Sequence, residues 1–267
     1  MKIVLWIGSE ANQKALANKI NSIFPVSGIV VEVKNHKPQI TITKVIEKII
    51  EKLLLPSIGN AWWGMLNHFK KNYPHLPTAK TVTVENINSD IAYHFTDEIK
   101  PDLIIVSGTR LIRERMLSLT PRIGILNLHT GLSPYVKGGP NCTNWCIATK
   151  QFHLIGNTVM WIDPGIDSGN IVTTEFTEFA GTENLLDIHI KVMEHAHRLY
   201  LKAIDRLSKG NHQGVQQSKI AEGKTYFTRQ WRLKEKFMLV KNLKAFRETI
   251  NSPLINKLRN SVTIIPI

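Results

Sequence analysis

An amide, an imidazole and a carboxylate are the side chains of this sequence best spaced to do chemistry together. Asn127 and His129 lie two residues apart in the run Ile125-Leu-Asn-Leu-His-Thr-Gly-Leu-Ser-Pro134. If that run is a strand, both side chains leave one face. Asp167 answers them from a glycine-flanked turn within the downstream stretch GNTVMWIDPGIDSG, residues 156–169. A hydrolase would need a serine or cysteine nucleophile against the imidazole, and neither Ser133 nor Cys142 sits in a nucleophile elbow. The set fits acyl transfer in which the substrate, an amine, brings its own nucleophile. Asn127 and His129 would donate to the oxygen that becomes negative, while Asp167 orients His129 and relays the proton the amine must lose. Gly165 and Gly169 would let the Asp167 loop fold tightly, freeing backbone groups of Ile162, Asp163 and Gly165 to hydrogen-bond a planar heterocycle.

Such a trio needs a frame, and the pattern of the chain supplies one. Apolar runs over 2–7, 28–33, 101–107 and 123–128 read as buried strands, separated by segments of helical periodicity. Alternating strands and helices imply an α/β fold with a doubly wound, mostly parallel, Rossmann-like sheet. The spacing between the last two runs predicts a parallel crossover that sets the 108–112 turn beside Asn127 and His129. Strand ends of this kind are where open α/β sheets bind ligands. Residues 42–55 and 61–71 predict two further helices, the second rich in Trp62, Trp63, Met65, Leu66 and Phe69 and expected to pack inward or against a second subunit in a homodimer. Strands are expected over 81–84, 156–162 and 171–176, and helices over 89–98, 113–119, 141–149 and 182–207, the last opened by Thr182. The first turn, Gly8-Ser-Glu-Ala-Asn-Gln13, has one glycine where phosphate cradles carry several.

At 267 residues and 43% hydrophobic, the chain can bury a substantial core. No apolar run approaches the roughly 18 residues of a membrane span. The start, Met1-Lys2-Ile3, lacks the apolar stretch of an export leader, so a cytoplasmic location is expected. Cys142 and Cys146 stand on adjacent turns of one helix and are expected to be buried structural thiols rather than a disulfide or metal site. His189, His195 and His197 lack helical metal-site spacing, so no metal is expected. Of the net charge of +13, residues 224–267 hold +8, with ten Lys/Arg against two Glu. The division expected is a catalytic α/β domain over 1–210 and a basic strand/helix extension over 211–267. Its stripe Leu233, Phe237, Val240, Leu243, Phe246 and Ile250 would pack on the main domain or a second subunit, with RNA contact as the alternative.

Asn127-Leu-His129, Leu132-Ser-Pro134, Gly156-x-Thr-Val and Asp163-x-Gly-Ile-Asp167-x-Gly169 together resemble the folate-dependent formyltransferase family. The resemblance is strong over 100–175, fainter before and weak after about 210. It implies N10-formyltetrahydrofolate as donor, with no metal, and Asn127, His129 and Asp167 as the catalytic trio. It also implies that Arg110, Leu111 and Ile112 in the first turn, and Ile162, Asp163, Gly165 and Ile166 in the second loop, line the pterin pocket. Members commonly carry His-Pro-Ser-Leu-Leu-Pro and then a Tyr-Arg-Gly type of loop. Here His129-Thr-Gly-Leu-Ser-Pro134 is followed by Tyr135-Val-Lys-Gly-Gly139. That loop meets the acceptor in relatives. The turn Gly8-Ser-Glu-Ala-Asn-Gln13 also lacks the second glycine of the ribonucleotide-phosphate loop in the glycinamide member, which with the extra 42–72 helices argues against that purine enzyme. The expected acceptor is a small-molecule amine, an amino sugar attached to a nucleotide. A methionyl-tRNA acceptor held by the basic tail and a non-catalytic binding protein on the same scaffold are the alternatives.

Overall fold

A computed structural model describes residues 1–34 and 41–267. The chain opens with β1 (Ile3–Gly8), α1 (Ala11–Asn21) and β2 (Val26–Glu32). Helices α2 (Ile42–Leu54) and α3 (Pro56–Asn72) intervene before β3 (Thr81–Val84), α4 (Asp90–Ile99) and β4 (Leu103–Ser107). One turn of helix, α5 (Glu114–Leu117), leads to β5 (Gly124–His129), β6 (Val136–Gly138), α6 (Cys142–Ala148), β7 (Gly156–Trp161) and β8 (Ile171–Phe176). The long α7 (Leu185–Ser208) is followed by β9 (Lys224–Tyr226), α8 (Leu233–Thr249) and α9 (Pro253–Asn260).

Seven strands form one sheet in the order β3-β2-β1-β4-β5-β7-β8. The first four ladders are parallel, while β7 runs antiparallel to both β5 and β8. This is the doubly wound, mostly parallel, Rossmann-like arrangement. Helices cover both faces, which is why β1 and β4 read as unbroken apolar runs. Within β1, Ile3, Leu5 and Ile7 join one core with Leu16, Ile20 and Ile204, and Val4 and Trp6 join the other with Ile104 and Met116. The order reverses between β1 and β4, opening a crevice at their carboxyl ends. Tyr200 of α7 secures the sheet just below it: its buried hydroxyl donates to the Leu126 carbonyl (2.6 Å) and accepts from the Val106 N–H (3.2 Å).

Several local expectations are corrected. Helix α7 begins after Asn184, not Thr182, because Asn184 and Asp187 cap each other: the Asp187 N–H donates to the Asn184 side chain at 3.1 Å and the Asn184 N–H to the Asp187 carboxylate at 3.0 Å. The 113–119 helix shrinks to a single turn. The basic tail is two helices, divided where Ser252 caps α9 and Pro253 takes its first position. Its buried side is Leu239, Asn242 and Phe246 with Ile250, so the 233/237/240/243 stripe is rotated partly outward and Phe237 is exposed. The cause is polar. Asn242 Nδ2 donates to the carbonyls of Ile147 (3.1 Å) and Ala148 (2.9 Å), in the last turn of α6. Helix α2 turns an acidic side to the fold. Its Glu47 and Glu51 turn toward α8, pairing with Arg232 and Lys236, while Ile42, Ile46, Ile49 and Leu53 are exposed. Among the described residues no helix is long and apolar enough to cross a membrane.

Candidate active site

Strand β5 lies beside β4 with Asn127 opposite Val106. The turn after β4 therefore opens next to Asn127 and, two residues on, His129. Antiparallel β7 pairs His129 with Thr158 and Leu126 with Trp161, so it leaves the sheet at the far end of β5, and the 162–169 loop folds back to bring Asp167 to His129. A cavity of about 520 Å³ results. Asn127, His129 and Asp167 line it, as do Arg110, Leu111, Ile112, Ile162, Asp163, Gly165 and Ile166, so the trio and both stretches expected to hold the pterin meet there. Its size suits a ligand of cofactor dimensions.

The imidazole of His129 is 8% exposed and held on both sides. Nδ1 is 3.3 Å from Asp167 Oδ2, and Nε2 is 3.3 Å from the Val136 carbonyl and 3.5 Å from Cys142 Sγ. Burial alone would lower its pKa, but the adjoining Asp167 carboxylate, helped by Cys142 and the Val136 carbonyl, raises it to about 10. The ring is thus an imidazolium that can donate at both nitrogens. Burial pushes the Cys142 thiol up, so it stays protonated and its Sγ donates to the Gly138 carbonyl at 3.4 Å. Gly131 has no room for a side chain, since a Cβ would meet His129 Nε2 and Cys142.

Asp167 stands in the left-handed region, φ 49°, a conformation that Asp tolerates better than most residues. Its Oδ2 accepts from the Gly138 N–H at 3.1 Å. The preceding turn is fixed by Asp163 Oδ1, which accepts from the Gly165 N–H (3.0 Å) and the Ser168 hydroxyl (2.7 Å). Gly169 closes against the Trp161 carbonyl, where any Cβ would collide with backbone.

At the other end, Arg110 is organised by a residue the sequence reading passed over. Glu32, fully buried at the end of β2, accepts from the backbone N–H groups of Arg110 (2.8 Å) and Ile87 (2.9 Å) and faces the Arg110 guanidinium at 3.7 Å. A carboxylate inside Gly28-Ile-Val-Val-Glu32 is the signal that could have found it. Lys34, Asn12, Gln13 and Trp62 also line the cavity unforeseen. Lys34 Nζ donates to the Gly108 carbonyl at 2.9 Å. The turn and loop suit a planar heterocycle: Leu111 and Ile166 leave apolar surface open, and Arg110 Nε is buried with no partner among the described residues. Among those residues no group of His, Cys, Asp and Glu is placed to hold a metal ion.

A family profile described as formyl transferase matches residues 3–204. The sequence is similar to the methionyl-tRNA formyltransferase of Clostridium beijerinckii, 32% identical over 114 residues, which are 43% of this chain and 36% of that protein. The matched chain thus spans little more than a third of that relative's length. In fold it is similar to a sugar N-formyltransferase from a Shewanella species, with TM-score 0.58, 13% identity, and 91% of this chain and 88% of that one covered. It is also similar to an N-formyltransferase from Helicobacter canadensis solved with folinic acid and dTDP-3-aminofucose, with TM-score 0.53, 15% identity, and coverage of 93% and 82%. Identities this low speak for the fold alone. With the profile matching well over half of the sequence, the chain belongs to the formyl transferase family.

Proposed function

We propose that this protein is an enzyme that transfers a formyl group from N10-formyltetrahydrofolate to the primary amine of a small acceptor, an amino sugar carried on a nucleotide. The observation that carries this reading is the approach of His129 Nδ1 and Asp167 Oδ2 to 3.3 Å on the wall of the cavity that Asn127 also lines. Arg110, Leu111 and Ile112 on one side, and Ile162, Asp163, Gly165 and Ile166 on the other, would hold the pterin. Bound there, the folate supplies an activated one-carbon acyl group. The Asn127 amide donates to the oxygen as it gains negative charge, and the imidazolium of His129 adds a positive charge nearby. Asp167 would receive the proton that leaves the attacking nitrogen and pass it on to N10 as the formyl C–N10 bond breaks, so that tetrahydrofolate leaves as a neutral amine. No protein nucleophile is required.

The sugar-nucleotide acceptor is supported by the extent of the likeness: over nine-tenths of the chain is covered by the Shewanella sugar enzyme and by the Helicobacter enzyme solved with dTDP-3-aminofucose. A second reading, an aminoacyl-tRNA acceptor, has the sequence likeness to the Clostridium enzyme and the basic tail in its favour. Against it, Arg232, Lys236 and Arg259 of that tail are spent on Glu47, Glu51 and Glu178. Free buried thiols at Cys142 and Cys146 suit a reducing cytoplasm. The test is release of tetrahydrofolate from N10-formyltetrahydrofolate across a panel of amino-sugar nucleotides, with methionyl-tRNA alongside. The sugar reading expects one nucleotide sugar to be N-formylated in proportion to the folate released. Formylation of the tRNA alone, with an affinity that falls steeply with salt, overturns it.

A further inference from the structure

The segment that follows α7 reaches back into the site. Val215 bridges Ile171 at the start of β8, with N–H to carbonyl distances of 2.8 and 2.7 Å. Two residues on, Gln217 turns inward and is 6% exposed. Its Nε2 donates to the carbonyls of Asp167 and Gly169, each at 2.8 Å. Only an NH₂ can serve two carbonyls, so the chemistry itself fixes which end of the amide faces the loop. Both carbonyls flank the one turn that carries the Asp167 carboxylate, and Asp167 is the residue there with left-handed backbone. Further along, β9 pairs in parallel with β6, and the Gly139 N–H donates to the Tyr226 carbonyl at 3.0 Å. Strand β6 carries the Gly138 N–H that holds Asp167 Oδ2 and the Val136 carbonyl that meets His129 Nε2. The 211–226 segment therefore grips the Asp167 loop through its backbone and the facing strand through β9. It lies beyond the residues that the family profile matches.

From this geometry we propose that Gln217 is a positioning residue of the active site, holding the 167–169 backbone so that the Asp167 carboxylate faces His129 Nδ1. The inference rests on the reading of Asp167 and His129 as the reacting pair. An amide used only for packing would not need both its protons on this one turn. Without Gln217, the buried Gly169 carbonyl and the half-buried Asp167 carbonyl lose their donor and the turn is free to relax toward a right-handed conformation, which carries the carboxylate away from the ring.

The experiment replaces Gln217 by Met, which is of similar length, apolar and still able to pack against Met160 in the full chain. His129 is followed by NMR of its C2–H through a pH titration, its signal assigned from the spectrum of H129Q. The titratable groups against His129 are Asp167 from the 162–169 loop and Cys142 from α6. The expected result for Q217M is a fall of about one pH unit or more in the His129 midpoint, with the other histidines unmoved. In turnover, kcat should fall about tenfold with KM nearly unchanged, the signature of a group that matters in the transition state. A folded Q217M whose His129 midpoint matches wild type overturns the proposal, even if its melting temperature is lower. Should Q217M not fold, Q217N, whose amide is one methylene short of both carbonyls, is read in the same way. The titration needs no acceptor. A shifted midpoint with no transfer by wild type would sink the formyl-transfer reading and leave the positioning role, whereas active wild type with an unshifted Q217M would do the reverse.

Discussion

Replacing Asp167 by Asn removes the charge that sets the state of His129 and changes little else in volume. At 3.3 Å and an effective dielectric constant of about 20, two unit charges attract by about 5 kcal/mol. At about 1.4 kcal/mol per pH unit this corresponds to roughly three to four pH units, the main upward pull on a buried imidazole that, with Cys142 and the Val136 carbonyl helping, stands at about 10. With an amide in place of the carboxylate, burial prevails, and the D167N ring should titrate below about 6.5. Formyl transfer should fall by about 10²- to 10⁴-fold, the range for loss of a positioned proton acceptor. NMR titration of the His129 C2–H and single-turnover transfer rates are the two measurements. The effect on stability has a definite sign. A histidine whose pKa is raised by folding stabilises the fold fully below its unfolded value near 6.5, and that contribution fades as pH rises toward 10. The melting temperature of wild type should therefore exceed that of D167N most at about pH 6, with the gap closing in alkaline solution. A D167N ring that still titrates above about 8, or transfer within tenfold of wild type, refutes the reasoning.

Asn127→Ala should lower kcat by about 10²- to 10³-fold, as loss of an oxyanion donor does, while folinic acid binding measured by calorimetry stays within a few-fold of wild type; a variant that loses folate affinity in parallel would instead make Asn127 a binding residue. Glu183→Gln tests acid stability: despite burial, Lys191 and the N–H groups of Ala180 and Gly181 hold the Glu183 carboxyl down at about 2. Its contribution, on the order of 1–2 kcal/mol after allowing for the open Lys191 end, is present above about pH 4.5 and lost as pH falls toward 2. Urea midpoints of wild type and E183Q should thus differ at pH 7 and converge near pH 2, and an equal gap at both would contradict the assignment.

What was legible in the sequence follows from periodicity. Strands β1, β4 and β5 show themselves because a sheet covered on both faces must be apolar throughout, and the trio shows itself because polar residues at the end of such a run have to be explained. Residues that act through tertiary contact were not legible. Gln217 stands 50 residues from Asp167 in a stretch of ordinary composition, and nothing local marks a glutamine that spends both amide protons on a distant turn. The facing of α2 was not legible for a related reason. Its periodicity reveals an apolar face but not which way that face turns, and here ion pairs to α8 oriented the polar side inward. Asn242 likewise reads as a break in an apolar stripe until the carbonyls at the end of α6 are seen to accept from it.

The departure from the family pattern over 130–139 now has a physical account. What this loop gives to the site is mostly backbone: the Val136 carbonyl to His129, the Gly138 N–H to Asp167, and the Gly138 carbonyl to Cys142. Such contacts constrain shape rather than side chains, except where shape itself demands glycine. Gly131 is pressed against the His129 ring, and Gly138, at φ 85°, meets the backbone of Tyr226. The other side chains answer to other partners: Leu132 and Val136 are buried in the core, and the Tyr135 hydroxyl accepts from the Thr263 N–H at 2.8 Å. A loop can therefore lose the family's wording and keep its geometry, provided something holds that geometry from outside. Here β9 does so, which ties the unusual loop and the segment beyond the family profile into one device.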